Sequence, residues 1–335
     1  MSHHGRLRLR SRAFRPAGTP CGSKRPAVPT QELSRLEGEN IQAPPFRVEG
    51  QKKVVTMLLS VLQANAAVLD VEANLLTVDR AARRAAQAGA DLLLTPELFP
   101  VGYAPLRLRG ELDPANLPVI RGQLADIARR NGIALVYSLP SVADSGTGVF
   151  TQGAGWHIAA TLVDATGAEL LTYAKVHLFG GEERKAFVAA AEPPAVVPFK
   201  GVRTSLLICY DIEFPEAARA AAARGAELLL VPTALSAGFD AVPQVLIRAR
   251  ALESQLNVAY ANHCGQEDAY IFGGGSVVAG PDGALLAAAG DGPELLFAQV
   301  GTEAVIEARE AVPYLRERRP ELYREWESQL PGDGA

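Results

Sequence analysis

From Val54 onward the chain switches repeatedly between short apolar runs and helical patterns, and that rhythm restricts the fold more than any single residue does. A strand-like run over 54–63 precedes a helical pattern over 72–88 that stops at Gly89. Residues 91–95 form a short apolar run suited to a buried strand; 114–130 read as a helix stopped by Asn131-Gly132, and 133–138 as the next strand. Runs at 156–164 and 169–173, joined through Ala165-Thr166-Gly167, predict a hairpin. After it come a strand leading to Cys209, an Ala-rich helix, a strand at 228–231, a helix at 242–255 and a strand at 258–262. Strands at 271–279 and 284–289 then flank the turn Gly280-Pro281-Asp282-Gly283. Strand–helix alternation with inserted hairpins, in two comparable halves, predicts an α/β domain with sheets inside and helices outside.

Composition narrows the function. The 335 residues are 48% hydrophobic and 21% charged, enough for one large core, and the net charge of −4 lacks the footprint of a nucleic-acid or anionic-membrane binder. Three widely spaced cysteines (Cys21, Cys209 and Cys264) match neither a disulfide framework nor a zinc pattern, which fits a reducing, cytoplasmic setting. No membrane span is expected: the uncharged run 54–69 falls short of the about 18 residues required, and 145–163 is rich in Gly, Thr, Gln and His. Residues 1–53 differ, with eleven Lys and Arg against four Asp and Glu and no apolar period. They read as a disordered basic extension, or as upstream sequence outside the protein proper, although an Arg-rich, acid-poor leader also suits a transit peptide. The expected division is the extension at 1–53, a catalytic domain at 54–311 and a C-terminal tail at 312–335.

Three stretches carry chemistry. In the first, an apolar strand ends at Cys209-Tyr210-Asp211-Ile212-Glu213, and Pro215-Glu216 opens the next helix. That elbow lets a thiol project clear of the sheet while following backbone N–H groups, beginning with Tyr210, face an incoming oxyanion. Alone, such a cysteine also reads as a core residue. The second is Leu92-Leu93-Leu94-Thr95-Pro96-Glu97, where burial at a strand end would raise a carboxylate's pKa toward that of a neutral-pH base. Alone, Glu97 also reads as a rim residue. The third runs from Tyr173 through Lys175 and His177 to Glu182-Glu183-Arg184. Lys175 there ends the hairpin strand, a place where lysines are usually solvated. Other candidates fare worse: His263 beside Cys264 reads as a strand-end pair, and Gly273-Gly274-Gly275 is not followed by the helix a phosphate loop needs.

Together the three stretches resemble the nitrilase, or carbon–nitrogen hydrolase, superfamily, marked by a glutamate, a lysine and a cysteine in that order. The matching residues are Pro96-Glu97-Leu98-Phe99, Lys175-Val176-His177-Leu178-Phe179 and Cys209 through Glu216, and the resemblance spans about 54–323. It implies a four-layer αββα sandwich, a homodimer or higher homo-oligomer, and no metal or organic cofactor. It also implies Glu97 as base, Lys175 as oxyanion stabiliser, Cys209 as nucleophile, and Glu183 as the second glutamate eight positions after the lysine. Tyr103, Tyr210, Thr233 and Ala234 would line the substrate site. The Cys-Tyr-Asp-Ile-Glu-Phe-Pro-Glu element is similar to the amidase branches, including aliphatic and stereoselective amidases of the 5-aminopentanamidase type. The implied partner is a small linear carboxamide, hydrolysed to acid and ammonia. N-carbamoyl amine hydrolases are close neighbours, and a catalytically silent scaffold is the rival outside enzymology. Ala174 and Ser254 stand where the family commonly has Arg and Asn, which blurs the branch.

Overall fold

A computed structural model describes residues 54–142 and 155–329. The basic extension 1–53 and the end of the C-terminal tail lie outside those residues. Strand β1 (Thr56–Gln63) leads to helix α1 (Val71–Gln87), whose first turn is capped by the Asp70 carboxylate accepting the Ala73 N–H at 3.1 Å. Leu75, Val78, Ala82 and Ala85 recur at helical spacing on the buried face of α1. Next come β2 (Leu92–Leu94), α2 (Pro105–Glu111), α3 (Leu117–Asn131) and β3 (Ala134–Val142). Helix α3 stops where Gly132 turns left-handed at φ 65°. Strands β4 (Trp156–Val163) and β5 (Glu169–Ala174) form the expected hairpin, and the short helix α4 (Gly180–Ala186) follows.

The second half repeats the plan. It runs through β6 (Val196–Phe199), β7 (Val202–Leu206), α5 (Pro215–Ala223), β8 (Leu228–Pro232), α6 (Ile247–Ser254) and β9 (Asn257–Ala261). A small ribbon of β10 (Cys264–Glu267) and β11 (Tyr270–Gly273) precedes β12 (Val277–Ala279) and β13 (Leu285–Ala288). The described chain finishes with β14 (Glu294–Gly301), α7 (Thr302–Ala311), α8 (Tyr314–Glu317) and α9 (Pro320–Ser328).

Two six-stranded sheets result, ordered β14-β1-β2-β3-β4-β5 and β13-β12-β9-β8-β7-β6. Each has three parallel strands at its centre and antiparallel strands at its flanks. The sheets pack on each other through β1, β2 and β3 against β8 and β9, while α1 with α3 and α5 with α6 form the outer layers. This is the αββα sandwich. Burial on both faces explains why Leu92-Leu93-Leu94 and Leu228-Leu229-Leu230 are continuous apolar runs, every one of them inaccessible to solvent.

The structure departs from the sequence expectations in several places. The strand expected over 271–279 is broken into β11 and β12 by Gly274 and Gly275 at φ 66° and 69°. A Cβ on Gly274 would lie 2.7 Å from the Gly290 carbonyl oxygen, so both backbone angle and space demand glycine. Strand β14 was not anticipated; it pairs antiparallel with β1 along its whole length and closes the first sheet with sequence from the far end of the domain. Helices α2 and α4 were also unforeseen, being single short pieces inside what read as loops.

Candidate active site

Each chemical residue sits just beyond a strand of one of the two sheets. Glu97 follows β2, Lys175 follows β5 directly, and Cys209 follows the apolar extension of β7. Cys209 opens a 3-10 turn (Cys209–Glu213) rather than ending a strand, and its φ of 46° is left-handed, a conformation costing an L-residue about 1–2 kcal/mol. The turn is held by Asp211, a fully buried carboxylate. It accepts the N–H of Ile208 at 3.3 Å, the Tyr173 hydroxyl at 3.0 Å, and the N–H and ring Nδ1 of His177, each at 2.8 Å. The hairpin that carries Lys175 is thereby tied to the turn that carries Cys209. Asp211 lay inside the quoted motif, but no sequence signal distinguished this anchoring role from an ordinary cap.

The side chains converge on a dry row of charges. Lys175 Nζ donates to Glu97 Oε1 at 2.7 Å and to Glu183 Oε1 and Oε2 at 2.8 and 3.0 Å. Glu97 and Lys175 are wholly buried and Glu183 is 1% exposed. The Tyr103 hydroxyl donates to Glu183 Oε1 and the Phe179 N–H to Glu183 Oε2, both at 2.7 Å. Glu183 is thus saturated with donors. Glu97 is not: its Oε2 is buried without a well-formed hydrogen bond, and the Cys209 side chain also acts on this carboxylate. The two carboxylates are therefore inequivalent.

Electrostatics sharpens the difference. Burial pushes Glu97 up from an ordinary 4.5 to about 7, Lys175 restrains the rise and Glu183 adds to it. Burial works to neutralise Lys175, but the two facing carboxylates outweigh it and hold the ammonium well above its usual pKa. The Cys209 thiol is pushed well above 9.0 by burial and then by Glu97, with Lys175 and a backbone hydrogen bond from Ala234 acting the other way. At neutral pH the resting site holds an ammonium, a thiol and a carboxyl poised to exchange its proton.

The remaining candidates surround this row. Ala234 meets the Cys209 sulfur through its backbone, and Thr233 is buried with its carbonyl accepting the Glu97 N–H at 3.2 Å. Tyr103 is buried against Tyr270 and Phe272, both edge-on at 5.2 and 5.8 Å between centroids. Tyr210 is half-buried, its ring edge-on to Phe179 and Phe214. Two residues passed over earlier adjoin the row: His263 lies 2.6 Å from the Glu97 carbonyl oxygen, and Glu267 lies 2.6 Å from His263. Glu267 stands in a polar Gly-Gln-Glu-Asp stretch that reads as a solvated turn, so no sequence pattern marked it. Among the described residues no cluster of His, Cys, Asp and Glu is arranged to hold a metal ion.

Comparison with known proteins gives the family. The model of the carbon-nitrogen hydrolase family matches residues 58–310. The chain belongs to the carbon-nitrogen hydrolase family. An amidase from Nesterenkonia sp. AN1, solved as a double mutant in complex with acrylamide, superposes with a TM-score of 0.73 at 44% identity, covering 81% of this chain and 97% of that one. A hydrolase from the pqqF 5′ region of Pseudomonas protegens is 40% identical over 271 residues, 81% of this chain and 92% of that protein. The N-carbamoylputrescine amidase of Solanum lycopersicum is 30% identical over 281 residues, 76% of this chain and 90% of the tomato protein. This carbon-nitrogen hydrolase is accordingly an enzyme of amidase type. No helix among its described residues is long and apolar enough to cross a membrane.

Proposed function

We propose that this hydrolase cleaves the C–N bond of a small linear carboxamide, giving acid and ammonia through a Cys209 thioester. A buried thiol with a raised pKa is a poor nucleophile until a base takes its proton, and Glu97 is the carboxylate on which the Cys209 side chain acts. Glu97 takes the Cys209 proton and the thiolate attacks the amide carbon. The carbonyl oxygen gains the negative charge, which Lys175 and the Tyr210 backbone N–H stabilise; one such donor is worth about 10²–10³ in rate. Protonated Glu97 gives its proton to the nitrogen as the C–N bond breaks, and ammonia leaves. Glu97 then takes a proton from water, whose oxygen attacks the thioester carbon, and returns a proton to sulfur as the acid departs. Glu183, already filled by three donors, holds Lys175 rather than moving protons. Tyr103, Tyr210, Thr233 and Ala234 shape the pocket around the acyl group.

The observation that carries this reading is the asymmetry of the two buried carboxylates on one lysine: Tyr103, Lys175 and the Phe179 N–H fill Glu183, whereas the Cys209 side chain acts on Glu97. A second line supports short amides: the Nesterenkonia amidase is known with the acetamide moiety of fluoroacetamide added covalently at its active-site cysteine. Two further readings go with it. A thiol nucleophile suits a reducing cytoplasm. A homodimer suits the C-terminal region, where α9 buries none of its residues and Trp326 is exposed beside a groove of about 650 Å³ lined by Arg219, Leu252, Tyr314 and Tyr323.

The test is ammonia release from a panel of linear amides, N-carbamoyl amines and nitriles, with Cys209→Ala as the blank. Release from short amides that vanishes in the variant is the expected result. Release from carbamoyl compounds alone moves the enzyme toward its tomato relative with the mechanism intact. No release from any compound, by a folded protein whose Cys209 also resists iodoacetamide, leaves a scaffold.

A further inference from the structure

Immediately after Glu97 the backbone adopts a conformation that a leucine resists, with Leu98 at φ 54°. Such left-handed residues persist only where the surroundings over-determine them. The surroundings here are His263 and Glu267. His263 Nε2 lies 2.6 Å from the carbonyl oxygen of Glu97, the peptide that joins Glu97 to Leu98. A carbonyl only accepts, so Nε2 carries the hydrogen. The other nitrogen, Nδ1, faces Glu267 Oε1 at 2.6 Å. Both carboxylate oxygens of Glu267 are also engaged by backbone donors, Oε1 by the Ala66 N–H at 2.7 Å and Oε2 by the Tyr103 N–H at 3.2 Å.

The pair is sealed from water, with His263 at 0% and Glu267 at 2% exposure, and the imidazole ring packs against Phe99 and Phe272 at 5.6 and 4.9 Å between centroids. Its hydrogen bonds close on the reactive row from two sides. His263 holds the main chain of Glu97, and Glu267 holds the main chain of Tyr103, whose hydroxyl in turn holds Glu183.

We propose that His263 and Glu267 act as a positioning pair: the imidazolium, held by Glu267, pins the strained Glu97–Leu98 peptide and so sets the Glu97 carboxylate against Cys209. The charge state follows from both ring nitrogens facing acceptors. Burial alone would lower the pKa of His263, but Glu267 opposite the ring, then the Glu97 carbonyl and carboxylate, raise it above its ordinary value. The proposal rests on Glu97 being the base that activates Cys209.

The experiment is the rate of Cys209 alkylation by iodoacetamide across pH, together with kcat and KM for an amide the wild type hydrolyses. His263→Gln keeps a donor at the Nε2 position, whereas His263→Asn ends at the Nδ1 position and loses the bond to Glu97. Misplacing the base by about an ångström predicts at least about a tenfold fall in alkylation and in kcat for His263→Asn, with KM held and the pH midpoint moved, and recovery to within about threefold in His263→Gln. Equal alkylation rates and pH midpoints in the two folded variants overturn the proposal. Where His263→Asn does not fold, Glu267→Gln decides: alkylation slowed about tenfold supports the pair and a wild-type rate refutes it. Alkylation needs no amide turnover. A wild type that alkylates with the expected pH profile yet releases no ammonia counts against the amidase reading and leaves the positioning pair intact.

Discussion

Replacing Glu97 by Gln should remove a pH dependence from folding as well as the base of the proposed mechanism. In the folded protein Glu97 titrates near 7, against an ordinary value of 4.5 that the unfolded chain recovers. Between those values the folded state keeps a proton that the unfolded chain has released. The stability attached to this group is therefore fully present below pH 4.5 and is lost as pH rises toward 7. The gap corresponds to about 3 kcal/mol, of which about 2–3 kcal/mol accrues between pH 5 and pH 8. Glutamine retains an oxygen for Lys175 and has no ionisation to lose. Urea unfolding of both proteins at the two pH values isolates the effect, because groups not coupled to residue 97 cancel in the comparison. Wild type should lose about 2–3 kcal/mol more than Glu97→Gln on going from about pH 5 to pH 8. Equal losses would refute the reasoning that burial holds Glu97 protonated into the neutral range.

Lys175→Met leaves two buried carboxylates facing each other, and removing one partner from a buried ion pair costs about 3–5 kcal/mol; chemical denaturation at neutral pH should show it, with a smaller cost near pH 5 where Glu97 is protonated. Tyr103→Phe deletes a hydrogen bond to a charged acceptor, so about 1.5–3 kcal/mol of stability should go, and kcat should fall as Glu183 and Lys175 loosen. Gly102→Ala puts a Cβ 2.6 Å from the Val68 Cα at a φ of +76°, where only backbone movement can relieve the clash. A stability loss of more than about 1 kcal/mol, read as a lowered Tm, is expected there.

Much of this protein was legible because its chemistry is local. The strands that precede Glu97 and Cys209 announce themselves by unbroken apolar runs, which only a sheet covered on both faces requires. The stop at Gly132 and the start at Pro215 are likewise written in residue types with one backbone role. Glu183, eight positions after Lys175, was placed in the same site only by the resemblance to the family. They meet because Lys175 directly follows β5 and the turn after it brings α4 back over the same strand end, eight residues on.

What sequence could not supply is anything that depends on two distant strands being neighbours. Strand β14 alternates as an amphipathic strand should, but only pairing with β1, some 240 residues away, makes it an edge of the first sheet. The same holds for the difference between the two carboxylates. Glu97 and Glu183 are identical in composition and differ only in which donors surround them in space. Glu267, read along the chain, is a turn residue; folded, it is a buried counter-ion beneath Tyr103 and His263. Residue types and spacing determined which groups could react. Burial and the hydrogen bonds that compensate it arise only when the two sheets close on each other, so the tertiary structure alone decided which of those groups are buried together and which donors surround each.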